Sequence, residues 1–282
     1  MNRREFLAAG GVALALSSRR TRAAAAPRVV SVGGAVTECV YALDMAHALV
    51  GADTTSLYPP QALRLPRVGY QRAMAAEGLL SLAPDLVLAS DDAGPPAVVA
   101  QIRRAGVRWI DVASAYTPAA PADKLRTVGD ALGRKDRARA RIHAYEADWE
   151  RTRRRVATLP GRPRAVFVMA HGGPTLNLAG RGTAADAMLA LAGLVNALDF
   201  DGYKTISPEA LIAAAPDLVV TTTQSLDGLG GAGALAARPG LAATPAARNR
   251  RVLAYDGLYL LGFGPRLPQA VAQLAQQARQ PT

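Results

Sequence analysis

The sequence predicts an α/β fold of two Rossmann-like lobes, with parallel-type sheets, one long joining α-helix and a ligand cleft between the lobes. An internal repeat is the first observation, because EGLLSLAPDLVLAS at 77–90 resembles EALIAAAPDLVVTT at 209–222, about half the chain away. The second observation is that short apolar strands alternate with helical patterns along the chain. The third is a long, charged, amphipathic segment between the two copies of the repeat.

The strands of the predicted sheets are short apolar runs. Each lobe begins with one, RVVSV at 28–32 and RAVFV at 164–168. Within each copy of the repeat, Glu opens a helix, Ala-Pro-Asp ends it and an apolar strand follows. The further predicted strands are 86–89, 107–112, 218–222 and 251–255. This alternation predicts a sheet covered by helices in each lobe.

The segment between the lobes, KDRARARIHAYEADWERTRRRVATLP, predicts one long helix that begins after Gly133 and ends at Pro160. At 1.5 Å per residue it would be about 37 Å long, enough to join two small lobes. Its apolar stripe consists of Ile142, Tyr145, Trp149, Val156 and Leu159. The predicted division of the chain is a signal segment 1–25, an N-terminal lobe 26–134, a bridging helix 135–160 and a C-terminal lobe 161–282.

The N-terminal sequence, MNRREFLAAGGVALALSSRRTRAAAAP, is typical of an export signal. Arg3 and Arg4 precede an apolar run over 6–16 that is too short to span a bilayer, which resembles a twin-arginine signal. An A-x-A motif ends at Ala25, so we expect cleavage there and a periplasmic protein. The only cysteine, Cys39, lies in an apolar helical pattern and is expected to be a small buried residue.

The formal charge of +11 leaves two interpretations of the basic composition. All but three of the 33 basic residues are arginine, which is consistent with a GC-rich coding sequence. Alternatively, some arginines bind an anionic ligand, because the guanidinium matches carboxylate and phosphate geometry. We expect a monomer and no nucleic-acid partner.

The usual signatures of metal carriers and enzymes are missing from the sequence. We interpret His47 and His143 as structural or surface residues, because no H-E-x-x-H motif or paired cysteine accompanies them. The G-x-G-x-x-G pattern at 228–233 does not directly follow a predicted strand, so we interpret 225–240 as a surface loop rather than a dinucleotide site. With no G-x-S-x-G or Walker motif either, we do not expect an enzyme.

Tyr70 and Arg72 stand two residues apart in VGYQRAMAAEGLL. In an extended chain, residues i and i+2 point to the same side. A phenol becomes a good iron ligand only when its phenolate is stabilised, and both a ferric ion and a nearby guanidinium do so. From the residues alone, a Tyr–Arg pair in an exposed surface loop is the favoured interpretation, and a metal ligand with its electrostatic partner is the alternative.

The second lobe offers His171, which follows its first strand in VMAHGGP. Ligands of open α/β sheets bind beyond the carboxyl ends of strands, so His171 and Tyr70 could face each other across a cleft. Arg181, in GRGTAAD, is either a cleft cation or a solvated turn residue ahead of a T-x-x-D helix start.

These residues make the chain similar to the periplasmic haem-binding proteins of bacterial haem ABC importers. The resemblance covers nearly the whole chain after the signal, and its most specific element is G-Y-x-R-x-x-x-x-E-G. The matching runs are SVGGAVTECVYALD (31–44), LVGADTTSLYP (49–59), LPRVGYQRAMAAEGLLSLAPDLVLAS (65–90), AGRGTAADAML (179–189) and RVLAYDGLYLLGFGPRLPQAV (251–271).

The resemblance implies that Tyr70 is the axial ligand of ferric haem, assisted by Arg72. His171 matches the position at which some members hold a second haem, so one or two haems are expected. The residues expected to contact haem or its propionates are Arg72, Gly172, Gly173 and Arg181.

The resemblance also implies two docking carboxylates, Glu77 and Glu209, for an inner-membrane ABC permease and its ATPase. Their alternative role is that of first-turn glutamates favoured by the helix dipole. An outer-membrane haem receptor would act upstream. The alternative functions are a ferric-siderophore or cobalamin carrier of the same class and, from a different class, an exported enzyme.

Overall fold

The computed structural model describes residues 27–170 and 176–280. The signal segment predicted at 1–25 lies outside the described residues, as do His171, Gly172 and Gly173. The predicted α/β fold of two sheets is confirmed. None of the described helices is both long enough and apolar enough to cross a membrane.

The first lobe contains a four-stranded parallel sheet in the order β2-β1-β5-β6 and a short separate hairpin, β3-β4. Its central strands are completely buried, as the apolar sequence runs predict. The strands of this lobe are β1 Val29–Val32, β2 Leu49–Ala52, β3 Gly69–Tyr70, β4 Ala73–Met74, β5 Leu86–Ser90 and β6 Arg108–Val112.

The second lobe contains a sheet in the order β10-β8-β7-β11-β12, with β9 also paired to β7. The pairs of β7 with β9 and β11, and of β11 with β12, are parallel. The β8 and β10 edge is antiparallel, unlike the parallel-type sheet predicted, because the connection from Met169 to Asn177 is too short for a parallel crossover. These strands are β7 Arg164–Met169, β8 Asn177–Ala179, β9 Val195–Asn196, β10 Tyr203–Lys204, β11 Leu218–Thr222 and β12 Val252–Tyr255.

Helices cover both sheets, and short 3₁₀ turns lie at Ala46–Ala48 and Pro60–Arg64. The helices of the first lobe are α1 Gly34–Ala42, α2 Ala76–Leu80, α3 Pro96–Arg104 and α4 Ala120–Ala131. Helix α5, Lys135–Ala157, runs between the lobes. The helices of the second lobe are α6 Ala184–Leu191, α7 Pro208–Ala214, α8 Thr223–Gly228, α9 Ala232–Ala236, α10 Pro245–Arg248, α11 Gly257–Leu261 and α12 Leu267–Gln277.

Helix α5 packs its apolar stripe against α4 of the first lobe and α12 of the second. Ile142 and Tyr145 are buried, and the Tyr145 hydroxyl donates a hydrogen bond to the Pro118 carbonyl. Trp149 and Val156 are partly buried against the same core, which continues from one lobe into the other. The helix therefore ties the two lobes to a shared apolar layer. Cys39 lies in that layer, fully buried as predicted.

The repeated Ala-Pro-Asp motif has the same geometry in both lobes. Ala83 and Ala215 each adopt a φ of 42°, which turns the chain sharply at the end of α2 and of α7. The aspartate that follows then accepts a hydrogen bond from a backbone amide at the start of each lobe's first strand. Asp85 binds the Arg28 nitrogen and Asp217 the Arg164 nitrogen, both at 2.8 Å. The motif thus fixes corresponding strands in each lobe.

The surface loop expected at 225–240 is wrong, because this segment forms α8 and α9. Thr222 caps α8 by accepting a hydrogen bond from the Ser225 amide. Leu229 and Leu235 are buried in the core on the outer side of the second sheet, and this packing stabilises two short helices. Gly228 is the last residue of α8 rather than part of a strand-to-helix turn, so the glycine pattern has no dinucleotide-binding geometry.

Candidate ligand-binding site

A cavity of about 770 Å³ opens between the lobes, within the size range of small-molecule sites. Part of its wall is formed by residues at or just beyond the carboxyl ends of seven parallel strands, which is where open α/β sheets bind ligands. The lining residues with functional side chains are Thr54, Thr55, Tyr70, Gln71, Arg72, Ser90, Asp92, Ser114, Tyr116, Lys124, Asn177, Tyr203 and Gln224.

The two lobes approach each other closely at the cavity floor. A Cβ added to Gly34, at the start of α1, would lie 2.6 Å from the Leu258 side chain of α11. The Gly34 amide donates to the Thr55 hydroxyl, and the Thr55 hydroxyl donates to Asp53 at 2.6 Å. Asp53 is completely buried, so this network holds the floor rigidly at the entrance of α1.

Tyr70 and Arg72 are brought together by a tight hairpin turn. Strands β3 and β4 pair Tyr70 with Ala73, so Gln71 and Arg72 occupy the turn. The Arg72 Nη1 donates a hydrogen bond to the Tyr70 Oη at 3.0 Å. The two residues meet because the chain reverses there, not because an extended chain points both to one side, as the sequence spacing suggested. Tyr70 remains 43% exposed and lines the cavity.

Asp92, which follows β5, holds the other side of the Arg72 guanidinium. The Arg72 Nη2 forms an ion pair with the Asp92 carboxylate. Backbone hydrogen bonds link the turn to the Asp92 loop, since the Gly94 amide donates to the Gln71 carbonyl at 2.8 Å. Burial lowers the pKa of Arg72, but Asp92 and the Tyr70 hydroxyl outweigh it and leave this pKa above its ordinary value. The guanidinium is therefore a fixed positive charge beside the phenol.

Two further tyrosines face the same cavity. Tyr203 comes from β10 of the second lobe, and Tyr116 from the loop after β6 of the first. Burial raises the pKa of Tyr203 to about 12, with the nearby Tyr116 as the next cause. Both side chains are about 40% exposed, so aromatic surface is available to a ligand from either lobe. The Tyr116 ring also contacts that of Phe263, with centroids 5.5 Å apart.

Lys124 of α4 lies at the base of the first-lobe wall. The residue is only 3% exposed, and its Nζ has no hydrogen-bond partner among the residues that the structure describes. Burial lowers the pKa of this lysine, and Cys39 and nearby aspartates only partly oppose that shift. The cavity thus carries a buried, unpaired lysine amino group in addition to the paired Arg72.

Arg181, Glu77 and Glu209 lie outside the cavity lining. Arg181 is exposed and forms an ion pair with Asp201 at 3.3 Å, outside the lining. Its neighbour Thr183 caps α6 by accepting from the Asp186 amide, as the T-x-x-D pattern predicts. Arg181 thus lies in the turn that precedes α6.

Glu77 and Glu209 are exposed in the first turns of α2 and α7. The backbone amide and the Ser207 hydroxyl lower the pKa of Glu209, so it is ionised at neutral pH. Across the described residues, no cluster of three or more histidine, cysteine or acidic side chains forms a metal site. His47 and His143 are both exposed.

Sequence reasoning missed Asp92, Tyr116, Lys124 and Tyr203. Asp92 and Tyr116 follow the predicted strands at 86–89 and 107–112, so their position beyond strand ends was a usable signal. Lys124 and Tyr203 had no such signal. Lys124 lies within a helix whose inward face follows from packing, and Tyr203 lies on an unpredicted edge strand.

Comparison with known proteins gives a consistent set of relatives. The periplasmic binding protein family matches residues 29–258. The structure of the periplasmic haem-binding protein BhuT in complex with two haems is 46% identical, with a TM-score of 0.85, and covers 89% of this chain and 97% of that one. The apo form of the periplasmic haem-binding protein RhuT from Roseiflexus sp. RS-1 is 41% identical, with a TM-score of 0.87, covering 90% and 98%. The vitamin B12-binding protein of Vibrio cholerae is 26% identical over 251 residues, 88% of each chain.

Proposed function

The chain belongs to the periplasmic binding protein family, and we propose that it binds ferric haem, one or two molecules, between its lobes for delivery to an inner-membrane ABC permease. The observation that carries the proposal is the Tyr70–Arg72 pair facing a cavity of about 770 Å³. The similarity to haem-binding proteins at 41–46% identity supports it.

Tyr70 is well placed to be a ligand of ferric iron, because its side chain is exposed in the cavity and its hydroxyl already accepts a hydrogen bond from the Arg72 guanidinium. When Tyr70 binds iron it loses its proton, and the guanidinium stabilises the resulting phenolate. Tyrosinate is an established axial ligand of haem iron. A siderophore or cobalamin would use the volume of the cavity but not this phenolate.

A haemin titration tests the proposal directly. We expect purified protein to bind haemin with a high-spin, tyrosinate-type absorption spectrum, while cyanocobalamin and a ferric hydroxamate siderophore fail to compete. Binding of cyanocobalamin in preference to haemin would instead assign the chain to the function of its vitamin B12-binding relatives. Failure of all three ligands to bind would contradict a carrier of this class.

The same titration gives the number of haems. A break at two equivalents that moves to one equivalent in His171→Ala would assign the second haem to His171. A single break at one equivalent that is unaffected by the substitution would remove His171 from the site. The cavity tyrosines Tyr116 and Tyr203 offer aromatic surface to either arrangement. The same proposal includes Gly172, Gly173 and Arg181 as contacts of haem or its propionates.

We propose that Glu77 and Glu209 dock the loaded protein on its permease. They occupy corresponding positions of the repeat, are exposed, and begin α2 and α7 in the two lobes. One carboxylate on each lobe fits a partner with a positive group on each half.

The variant Glu77→Ala with Glu209→Ala is therefore expected to abolish haem-dependent uptake in cells that carry the importer and to leave haemin affinity unchanged. Glu146→Ala, which removes an exposed carboxylate from α5, is the matched control and should retain uptake. Normal uptake in the double variant would exclude the docking role.

The cellular context follows from the same proposal. The relatives are periplasmic binding proteins rather than enzymes. We propose that the chain is exported through its 1–25 segment with cleavage near Ala25, receives haem that an outer-membrane receptor has admitted, and acts as a monomer without catalytic activity. Its lobes would then be 26–134 and 161–282, joined by 135–160.

A further inference from the structure

Lys124 is the buried basic group that the proposed iron site does not use. It lies in α4, which packs against α1 and α5, and it lines the cavity on the same lobe as Tyr70. The side chain is 3% exposed, yet its Nζ makes no hydrogen bond or ion pair within the described residues. An ammonium offers three donors, and a buried charge without a partner is strongly unfavourable. Such a group is retained at a binding site when the ligand supplies the partner.

The acidic groups near Lys124 already have other partners. The Asp92 Oδ2 is paired with Arg72, the Asp91 carboxylate accepts a hydrogen bond from Ser114, and Asp123 pairs with Arg126 at 2.5 Å. The Asp92 Oδ1 is buried without a donor, but it is not within ion-pair distance of the Lys124 Nζ. The acidic neighbours therefore provide a favourable field without saturating the ammonium.

We infer that Lys124 binds a carboxylate of the transported ligand, which for haem is one propionate. The inference rests on the proposed function and names a residue that sets ligand specificity. Tyr70 would hold the iron from the hairpin, and Lys124 would neutralise a propionate from the base of the same wall. A lysine meets a carboxylate as a compact point charge with rotatable donors, so no planar, bidentate geometry is required.

The test compares haemin with haemin dimethyl ester, in which both propionates are esterified and uncharged, in the same detergent-containing buffer. Lys124→Met is expected to weaken haemin binding roughly 10- to 150-fold, the range for one hydrogen bond to a charged group. It should leave the affinity for the dimethyl ester unchanged and keep the tyrosinate-type spectrum with both ligands. Lys124→Arg, which preserves the charge, should retain most of the haemin affinity.

Two results would overturn the inference while leaving the proposed function intact. Equal weakening for haemin and the ester in Lys124→Met would show that Lys124 acts on Asp92 or on the fold. Unchanged haemin affinity in that variant would show that it binds no propionate. If the Met variant does not fold, Lys124→Gln takes its place in the same comparison, and wild-type binding of the ester as tight as that of haemin would also exclude a propionate contact. A wild type that binds neither ligand removes the proposed function and this inference together.

Discussion

Replacing Tyr70 with Phe is expected to lower haemin affinity by at least about 100-fold. Loss of an outer partner of a metal ligand already costs roughly 10- to 100-fold in affinity, and loss of the ligand itself costs more. The substitution removes one oxygen atom from a side chain that is 43% exposed, so folding should be unaffected. Absorption spectroscopy during titration measures both the affinity and the disappearance of the tyrosinate-type bands.

Arg72→Gln separates the roles of the two partners. It removes the positive charge beside the phenolate but keeps a hydrogen-bond donor near the Tyr70 hydroxyl. We expect an intermediate loss, roughly 10- to 100-fold, with a tyrosinate-type spectrum still present.

Tyr116→Phe is the matched control, because it removes the same atom from a tyrosine of the same lobe and cavity. Its affinity and spectrum should match the wild type. A Tyr70→Phe variant with wild-type affinity and spectrum would exclude Tyr70 as the iron ligand.

The repeat explains why so much of the fold follows from the sequence. The Ala-Pro-Asp motif stops a helix, turns the chain at Ala83 and Ala215, and accepts a hydrogen bond from an amide at the start of each lobe's first strand. The residue types of the motif are therefore enough to predict the turn and the aspartate that follows it. The strands beside them are buried on both faces and therefore begin as apolar runs, LVLA at 86–89 and LVV at 218–220.

The site depends on geometry that local patterns do not encode. The contact between Arg72 and Tyr70 requires a two-residue turn, and that turn is held by backbone bonds to the loop carrying Asp92. Every residue has a backbone carbonyl and every residue except proline has a backbone N–H, so the residue types do not indicate which of these groups will be bonded. The antiparallel edge carrying Tyr203 is likewise specified by a short connection and pairing rather than by an apolar run.

A second large effect is expected where the lobes are joined by a buried ion pair. Arg266, at the start of α12, binds Glu38 of α1 through two hydrogen bonds of 2.6 and 3.0 Å. The Glu38 side chain is 5% exposed and that of Arg266 25%. The guanidinium also lies 3.7 Å from the ring centroid of Tyr58 and 5.0 Å from that of Tyr259. One arginine of the second lobe thus contacts both a buried carboxylate and an aromatic ring of the first.

Arg266→Met is expected to lower the free energy of unfolding by about 3–5 kcal/mol, because it leaves the Glu38 carboxylate buried without a partner. Glu38→Leu combined with Arg266→Met should recover most of that loss, since replacing both members of a buried pair with apolar residues is often neutral. Urea unfolding of the wild type and the variants measures both values.

Arg137→Met provides the control, because Arg137 pairs with Asp44 on the surface, where the side chains are 43% and 63% exposed. Screening by water limits such a pair to about 1 kcal/mol or less. Equal losses in Arg266→Met and Arg137→Met would show that the lobe-joining pair contributes no more than a surface pair.

The pH dependence identifies the unpaired carboxylate as the cause. Burial raises the pKa of Glu38 above its ordinary value of 4.5, and Arg266 opposes that rise, so Arg266→Met should raise this pKa further. An acid whose folded-state pKa exceeds its unfolded value binds more protons when folded, and stability falls as the pH rises through the interval between the two. The deficit of Arg266→Met should therefore be largest at neutral pH and shrink as the pH falls below the raised pKa of Glu38. In the double variant, which has no carboxylate at this position, that pH dependence should be absent. A deficit that stays constant between neutral pH and pH 4.5 would instead assign the loss to the aromatic contacts of Arg266.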